Sequence, residues 1–287
     1  MGKDLEIYML SDMKSLSWVY SLFVNLNRPM IFNVVNLTKN VECFGKLLPM
    51  IKEIKNSDLN IEEFEKLSSE YSSLTLEKWS EIDEPIYFST NSLLENENQI
   101  DDLLPIEYNY HYNIPVPGTS EKLFENKPYI VFHIRSMSEI KRTKSWEPFA
   151  WAELANNIRY FYPEVKFVLI GDENDADAIN HLNIYMKFHN ITDSIALIGP
   201  DLEKTIQVIR DANYVVSWAS VIGVISTVVK TPISMCQFQP SDLWKYNWVS
   251  PQMKKDYSYM AFDYTDTPQY VFEQIQKTAN IGQYLNA

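Results

Sequence analysis

The chain has 287 residues, 46% of them hydrophobic and 14% aromatic, and a formal net charge of −13. That is enough apolar material for one large domain or two of ordinary size, which excludes a disordered chain. Its acidity opposes general contact with nucleic acid or anionic membranes.

Residues 1–14 lack the layout of a signal peptide, and no apolar run is long enough to span a bilayer. The two cysteines, Cys43 and Cys236, sit in apolar surroundings. A reduced, cytoplasmic protein is the expectation, in the host cytoplasm if the chain is viral. With 7 glycines in total, there is neither a Gly-x-Gly-x-x-Gly nor a phosphate-cradling P-loop.

In chain order, Leu5–Leu10 (LEIYML) reads as a strand. Ser11 and Asp12 follow it, then a helix over Leu16–Leu26. Met30–Val35 and Pro85–Ser89 read as further strands, and the charged stretch Leu59–Ser80 as a hairpin of helices. Lys52 and Lys55, interleaved with Ile51 and Ile54, have the spacing of a single helix. Residues 113–128 collect prolines and a glycine, so the domain boundary falls there, giving domains 1–115 and 116–287. Residues 1–118 carry 9 Lys/Arg against 19 Asp/Glu, and the remainder 16 against 19. Cations are therefore concentrated in the second half.

That half alternates regularly. Tyr129–Ile134 is a strand, and Glu147–Phe161 a helix with Ser145 as its expected N-cap and Pro148 in its first turn. Strand Lys166–Ile170, an acidic helix over Asn174–Lys187 and strand Ile195–Ile198 come next. They are followed by helix Leu202–Asp211, strand Tyr214–Ser217, helix Ile222–Val229 and strand Ile233–Cys236. A last helix, Pro268–Ala279, is expected to cross back onto the first domain. Runs apolar on both faces, alternating with helices, predict a buried parallel sheet of five strands in a Rossmann-like domain.

In such sheets ligands bind at the carboxyl ends of strands. Arg135, Lys141, Arg142 and Lys144 come just after one such end, where cations stabilise a phosphate that gains charge as it leaves. Gly171 and Glu173 follow a second end, with Glu173 within range of a nucleotide ribose. Ser217, Trp218 and Ser220 follow a third: two hydroxyls to bond phosphate or cap the next helix, and an aromatic face to stack on a base or sugar. Asp242 comes after the last strand. His133 lies within its strand and reads as core or pocket wall. His111, His181 and His189 have no metal-ligand spacing. Asp175-Ala-Asp177 opens an acidic helix and is read as favouring that helix N-terminus, so no metal is expected.

The ordered segments HIRSMSEIKRTKSWEPFAWAELANNI, FVLIGDENDADAI, IALIGPDLEKTIQVIRDA, SWASVIGVISTVVKTP and FQPSD resemble the donor domain of heptosyltransferase-like glycosyltransferases, the family of ADP-heptose:lipopolysaccharide transferases. EIYMLSDMKSLSWVYSL is similar to that family's opening strand, loop and helix. The resemblance implies a GT-B plan: two Rossmann-like α/β/α domains with a cleft between them. It also implies a glycosyltransferase whose co-substrate is a nucleotide-sugar, with no further cofactor. Asp12 then stands where the family has its base, and the basic residues with the Ser217–Ser220 helix start would hold the diphosphate. Where the family has Asn-Asp-Thr-Gly-x-x-His, this chain has Trp218-Ala219-Ser220-Val221-Ile222-Gly223-Val224.

The acceptor implied by the resemblance is a surface glycan or lipopolysaccharide core. A phage-type transferase acting on a hydroxymethylated DNA base would need a basic face on the acceptor half, with Lys39, Lys46, Lys52 and Lys55 together. An inactive nucleotide-sugar binder or partner subunit, and a sugar-nucleotide epimerase, are the other readings.

Overall fold

Strands Tyr129–His133 (β5) and Tyr214–Trp218 (β8) are buried along both faces, which is why their sequences, YIVFH and YVVSW, run apolar without alternation. Around them the chain forms two compact units, Met1–Pro115 and Val116–Ala287. The structure, a computed structural model, describes residues 4–11, 16, 28–46, 48, 50–71, 85–88, 123, 124, 127–143, 146–218, 220–237, 259–278, 282 and 285.

The first unit contains strands Leu5–Leu10 (β1), Met30–Val35 (β2), Ile51–Asn56 (β3) and Ile86–Phe88 (β4), with helices Lys39–Gly45 (α1) and Ile61–Tyr71 (α2). The strands pair in parallel in the order β3-β2-β1-β4. Leu5, Ile7 and Met9 of β1 and Met30, Phe32 and Val34 of β2 form one fully buried face. Of the helix expected over 16–26, only Leu16 is among the described residues; it is helical and buried.

One expectation fails here. Lys52 and Lys55 do not share a helix: residues 51–56 form edge strand β3. The pairing register slips after Met30↔Ile51 to Ile31↔Glu53, skipping Lys52. A bulged residue lets Ile51 and Ile54, three apart, serve one face of a strand whose period is two. The same spacing imitates a helix in the sequence. Lys52 pairs with Asp4 at 2.5 Å, Lys46 with Glu42 at 2.5 Å and Lys55 with Glu53 at 3.8 Å.

Among the described residues the second unit has six parallel strands, the five expected and one more. Between β5 and β8 lie Lys166–Gly171 (β6) and Ile195–Ile198 (β7); after β8 come Ile233–Gln237 (β9) and Tyr259–Asp263 (β10). The order is β10-β9-β8-β5-β6-β7. The unexpected strand, β10, is an edge strand paired only with β9. Numbered from β5, the strands stand 6-5-4-1-2-3, the doubly wound order of dinucleotide-binding sheets.

The connecting helices are Met137–Thr143 (α3), Pro148–Phe161 (α4), Ala176–Phe188 (α5), Leu202–Arg210 (α6), Val221–Val229 (α7) and Pro268–Thr278 (α8). Helix α4 packs between α5 and α8. Trp151, Leu154 and Ile158 of α4, Ile179 and Leu182 of α5, and Val271, Phe272 and Ile275 of α8 close one core over Phe132, Phe167 and Val216. The alternate strand positions Val131, Val168 and Val215 are equally buried outside that core, so the sheet is covered on both faces.

The N-cap of α4 is Glu147, whose side chain makes no capping bond, and Pro148 opens the helix; Ser145, the expected cap, lies outside the described residues. A proline in the first turn forfeits only an amide that had no intrahelical partner, and it disfavours helical backbone at the residue before it. Residues 137–143, expected as a loop, form α3.

Candidate functional site

A doubly wound sheet offers one natural ligand position, the carboxyl edge where successive strands begin to be added on the opposite side. In the second unit that edge lies between β5 and β8, which pair with His133 opposite Ser217.

His133, the last residue of β5, is partly exposed and places its Nδ1 3.1 Å from Ser217 Oγ and 3.3 Å from Ser220 Oγ. Ser217 is completely buried and donates its hydroxyl to the Trp218 carbonyl at 2.6 Å. Ser220 stands at the start of α7, where its Oγ accepts from the Ile222 N–H at 3.2 Å and its carbonyl from the Gly223 N–H at 3.0 Å. Burial pushes the His133 imidazole down to about 4; the Asp172 carboxylate works against that, and the Arg135 guanidinium adds to it. At neutral pH the ring is therefore uncharged.

Trp218 is strand, not loop: it ends β8, is only 2% exposed and belongs to the core. Its indole Nε1 has no hydrogen-bond partner. Arg135, in the turn after β5, lies with its guanidinium carbon 4.3 Å from the centre of the Trp218 ring. Such stacking fixes the orientation of the planar cation.

At the tip of β6, Gly171 accepts from the Gly199 N–H at 2.9 Å. Asp172 then builds a capping box: its Oδ1 accepts from the Asn174 and Asp175 N–H groups, while its own N–H donates to Asp175 Oδ2. Gly171 is a glycine for steric reasons, since a Cβ there would lie 2.7 Å from Asp175 Cβ and 2.9 Å from Ile179 Cδ1. Glu173 is exposed and lies beside Gly199, which needs its positive φ of 63°.

Of the residues expected from sequence, Arg135, Ser217, Trp218 and Ser220 converge on the β5/β8 corner, with Ser217 and Trp218 turned inward. Gly171 and Glu173 occupy the neighbouring strand tip. Lys141 and Arg142 are exposed on the last turn of α3, where cations complement the carbonyl end of a helix. Asp12, Lys144 and Asp242 lie outside the described residues. Asp172 is the residue the sequence reading passed over, and His133, read there as core or pocket wall, stands at the corner itself. The one signal for His133 was its place at the last position of a strand.

No protein-family model matches the chain, and no curated protein sequence matches it. Solved structures do. E. coli ADP-heptose lipopolysaccharide heptosyltransferase II is similar with a TM-score of 0.62 at 14% identity, over 97% of this chain and 100% of that one. The family 9 glycosyl transferase of Veillonella parvula follows at 0.58 and 13%, over 100% and 99%. The S. aureus MnaA–UDP co-structure reaches 0.53 at 8%, over 99% and 91%. The chain thus has the two-sheet α/β fold of GT-B proteins, one that transferases share with MnaA. Among the described residues no helix is long and apolar enough to cross a membrane.

Proposed function

We propose that this protein is a glycosyltransferase that moves a sugar from a nucleotide-sugar donor to an acceptor hydroxyl, with the donor held by the second unit. The observation that carries the reading is the β5/β8 switch point, where Arg135, His133 and Ser220 meet the start of α7. A GT-B fold with whole-chain likeness to heptosyltransferases supports it.

In this reaction the acceptor hydroxyl gives up its proton and its oxygen bonds the anomeric carbon. The bond from that carbon to the diphosphate breaks, and the nucleoside diphosphate leaves with the electron pair. In this scheme Arg135 and the positive end of α7 stabilise the charge that grows on the leaving diphosphate. Lys141, Arg142 and Lys144 supply further positive potential. Asp12 acts as the base, and Asp242 and Glu173 contact the donor. No metal is needed in this scheme, since fixed cations and amide dipoles do its work.

A glycan acceptor suits the first unit better than a DNA duplex, because Lys46, Lys52 and Lys55 are each already paired with a carboxylate. Likeness to a putative UDP-N-acetylglucosamine 2-epimerase of Listeria monocytogenes, with a TM-score of 0.53 at 7% identity, supports a second reading, a sugar-nucleotide epimerase.

The test is thermal stability against uridine, adenosine, guanosine and cytidine diphosphates and their sugars. A ligand at about a hundred times its Kd adds about 2.7 kcal/mol to stability. One nucleotide should raise Tm in the wild type and not in Arg135→Ala. With its sugar, transfer requires an added acceptor; an altered sugar formed without acceptor would establish the epimerase instead. No shift with any nucleotide refutes both.

A further inference from the structure

The hydrogen-bonding state of the β5/β8 corner follows by elimination. Ser217 has one proton and donates it to the Trp218 carbonyl. Its oxygen then offers His133 only lone pairs, an arrangement satisfied by the tautomer that carries its proton on Nδ1, the one assigned to His133. Ser220 Oγ, 3.3 Å from the same Nδ1, is a second acceptor for that proton, and it also accepts from the Ile222 N–H. The Ser220 hydroxyl proton is therefore uncommitted. His133 Nε2 is left with a bare lone pair and, among the described residues, has no hydrogen-bond partner; the residue is partly exposed. An acceptor and a donor thus stand at opposite edges of one imidazole ring, where the sheet offers its ligand position.

A phosphate oxygen only accepts, so it would meet the bare Nε2 lone pair against lone pair. A hydroxyl both donates and accepts, and two vicinal ones match the acceptor and the donor. Building on the nucleotide-sugar reading, we propose that His133 and Ser220 read a vicinal pair of hydroxyls of the bound ligand: Nε2 accepts the proton of one and Ser220 Oγ–H donates to the oxygen of the other. The pair belongs either to the nucleotide ribose or to the transferred sugar, the two hydroxyl-bearing parts of such a ligand.

The surroundings keep the ring in this role. Arg135 and burial disfavour a charged imidazole, and only Asp172 favours one. The other groups at the corner, Ser217, Ser220 and Trp218, are uncharged. The diphosphate is then left to Arg135 and the start of α7, while the histidine discriminates. This differs from the reading that both serines hold phosphate: Ser217 has no proton to give.

The experiment is calorimetric titration of the full chain near pH 7.5. Ligands are the four nucleoside diphosphates, their 2′-deoxy and 3′-deoxy forms, and the matching nucleotide-sugars with deoxy-sugar analogues. Proteins are wild type, His133→Asn, His133→Gln and Ser220→Ala. Asn keeps the donor at the Nδ1 position and so the bond to Ser217, whereas Gln restores an acceptor near Nε2. In the wild type, removing one hydroxyl should weaken binding about tenfold. A ribose arm or a sugar arm will show that loss, which names the source. In His133→Asn and Ser220→Ala the penalty should shrink to about twofold, and His133→Gln should recover part of it. Measured in two buffers of different ionisation enthalpy, binding should take up no proton. Equal affinity for every deoxy analogue, an intact penalty in His133→Asn, or uptake of about one proton would each overturn the proposal while the nucleotide site stands. Failure of all nucleotides and nucleotide-sugars to bind the wild type would overturn the site itself.

Discussion

The guanidinium of Arg135 covers the ring of Trp218 at 4.3 Å, tying the turn after β5 to the last residue of β8. Charge and packing at Arg135 can be separated. Arg135→Lys keeps the cation but loses the planar stack, so it should cost about as much intrinsic stability as Arg135→Ala, about 0.5–2 kcal/mol. It should nevertheless retain more of any nucleotide-induced rise in Tm. Equal loss of that rise in both variants would show that the stacked geometry, not the charge alone, serves the ligand.

His133 should leave a signature in stability against pH. Its folded pKa lies below the ordinary histidine value, so between about 6.5 and about 4 the unfolded chain binds more protons. Its contribution is complete above that window and is lost as pH falls through it. The slope is at most about 1.4 kcal/mol per pH unit. Urea midpoints of wild type and His133→Asn at steps from pH 7 to pH 4 should converge as pH falls; parallel curves would place the imidazole in water.

Asp193 behaves in the same sense at lower pH. Burial alone would raise its pKa, yet hydrogen bonds from Arg159, at 2.7 Å, and from Lys166 outweigh it and hold the carboxyl at about 2. A depressed carboxylate stabilises the fold above its unfolded pKa and stops doing so as pH falls through the folded one. Asp193→Asn should be less stable than wild type at pH 7, by a modest amount because the carboxylate is partly solvated. The gap should close between about pH 4 and pH 2. A constant gap in guanidinium midpoints would mean that shape, not charge, carries the effect.

Gly171→Ala should destabilise the second unit by about 1–3 kcal/mol, because the added methyl meets the Asp175 side chain inside its capping box and Ile179 beneath it. Asp175→Ala in the same background should recover part of the loss, since it removes the obstructing carboxylate. No recovery would place the clash at the Asp175 Cβ, which alanine keeps, or at Ile179.

Ser226 is completely buried on α7, and its hydroxyl has no partner. Ser226→Ala removes an unsatisfied polar group and supplies a better helix former, so it should raise stability by about 1 kcal/mol. A fall in the urea midpoint would contradict that.

How far the sequence foretold this molecule depends on how local each feature is. Strands β5, β6 and β8 were legible because both faces are buried and apolar runs with polar punctuation allow little else. Edge strand β10 was not, since YMAFD sits among polar and aromatic residues that lack a clear period. Helix α3 was missed because MSEIKRT spans under two turns, and Ile140 is its one buried apolar side chain among those described. The three-residue spacing of β3 misled because a bulge is invisible until the partner strand is known. Arg135 and Ser220 were legible by the rule of strand ends. The pairing of His133 with Ser217 was not, because it depends on register between strands 84 residues apart.

That separation has a kinetic meaning. Between His133 and Ser217 the chain must complete β6, α5, β7 and α6 and return before the two side chains can meet. Contacts of such sequence separation pay their loop-closure entropy before they are rewarded, and they form slowly. The ligand corner is therefore among the last parts of the second unit to come into being. Recovery of nucleotide binding during refolding should accordingly trail recovery of helix signal and coincide with the slowest phase.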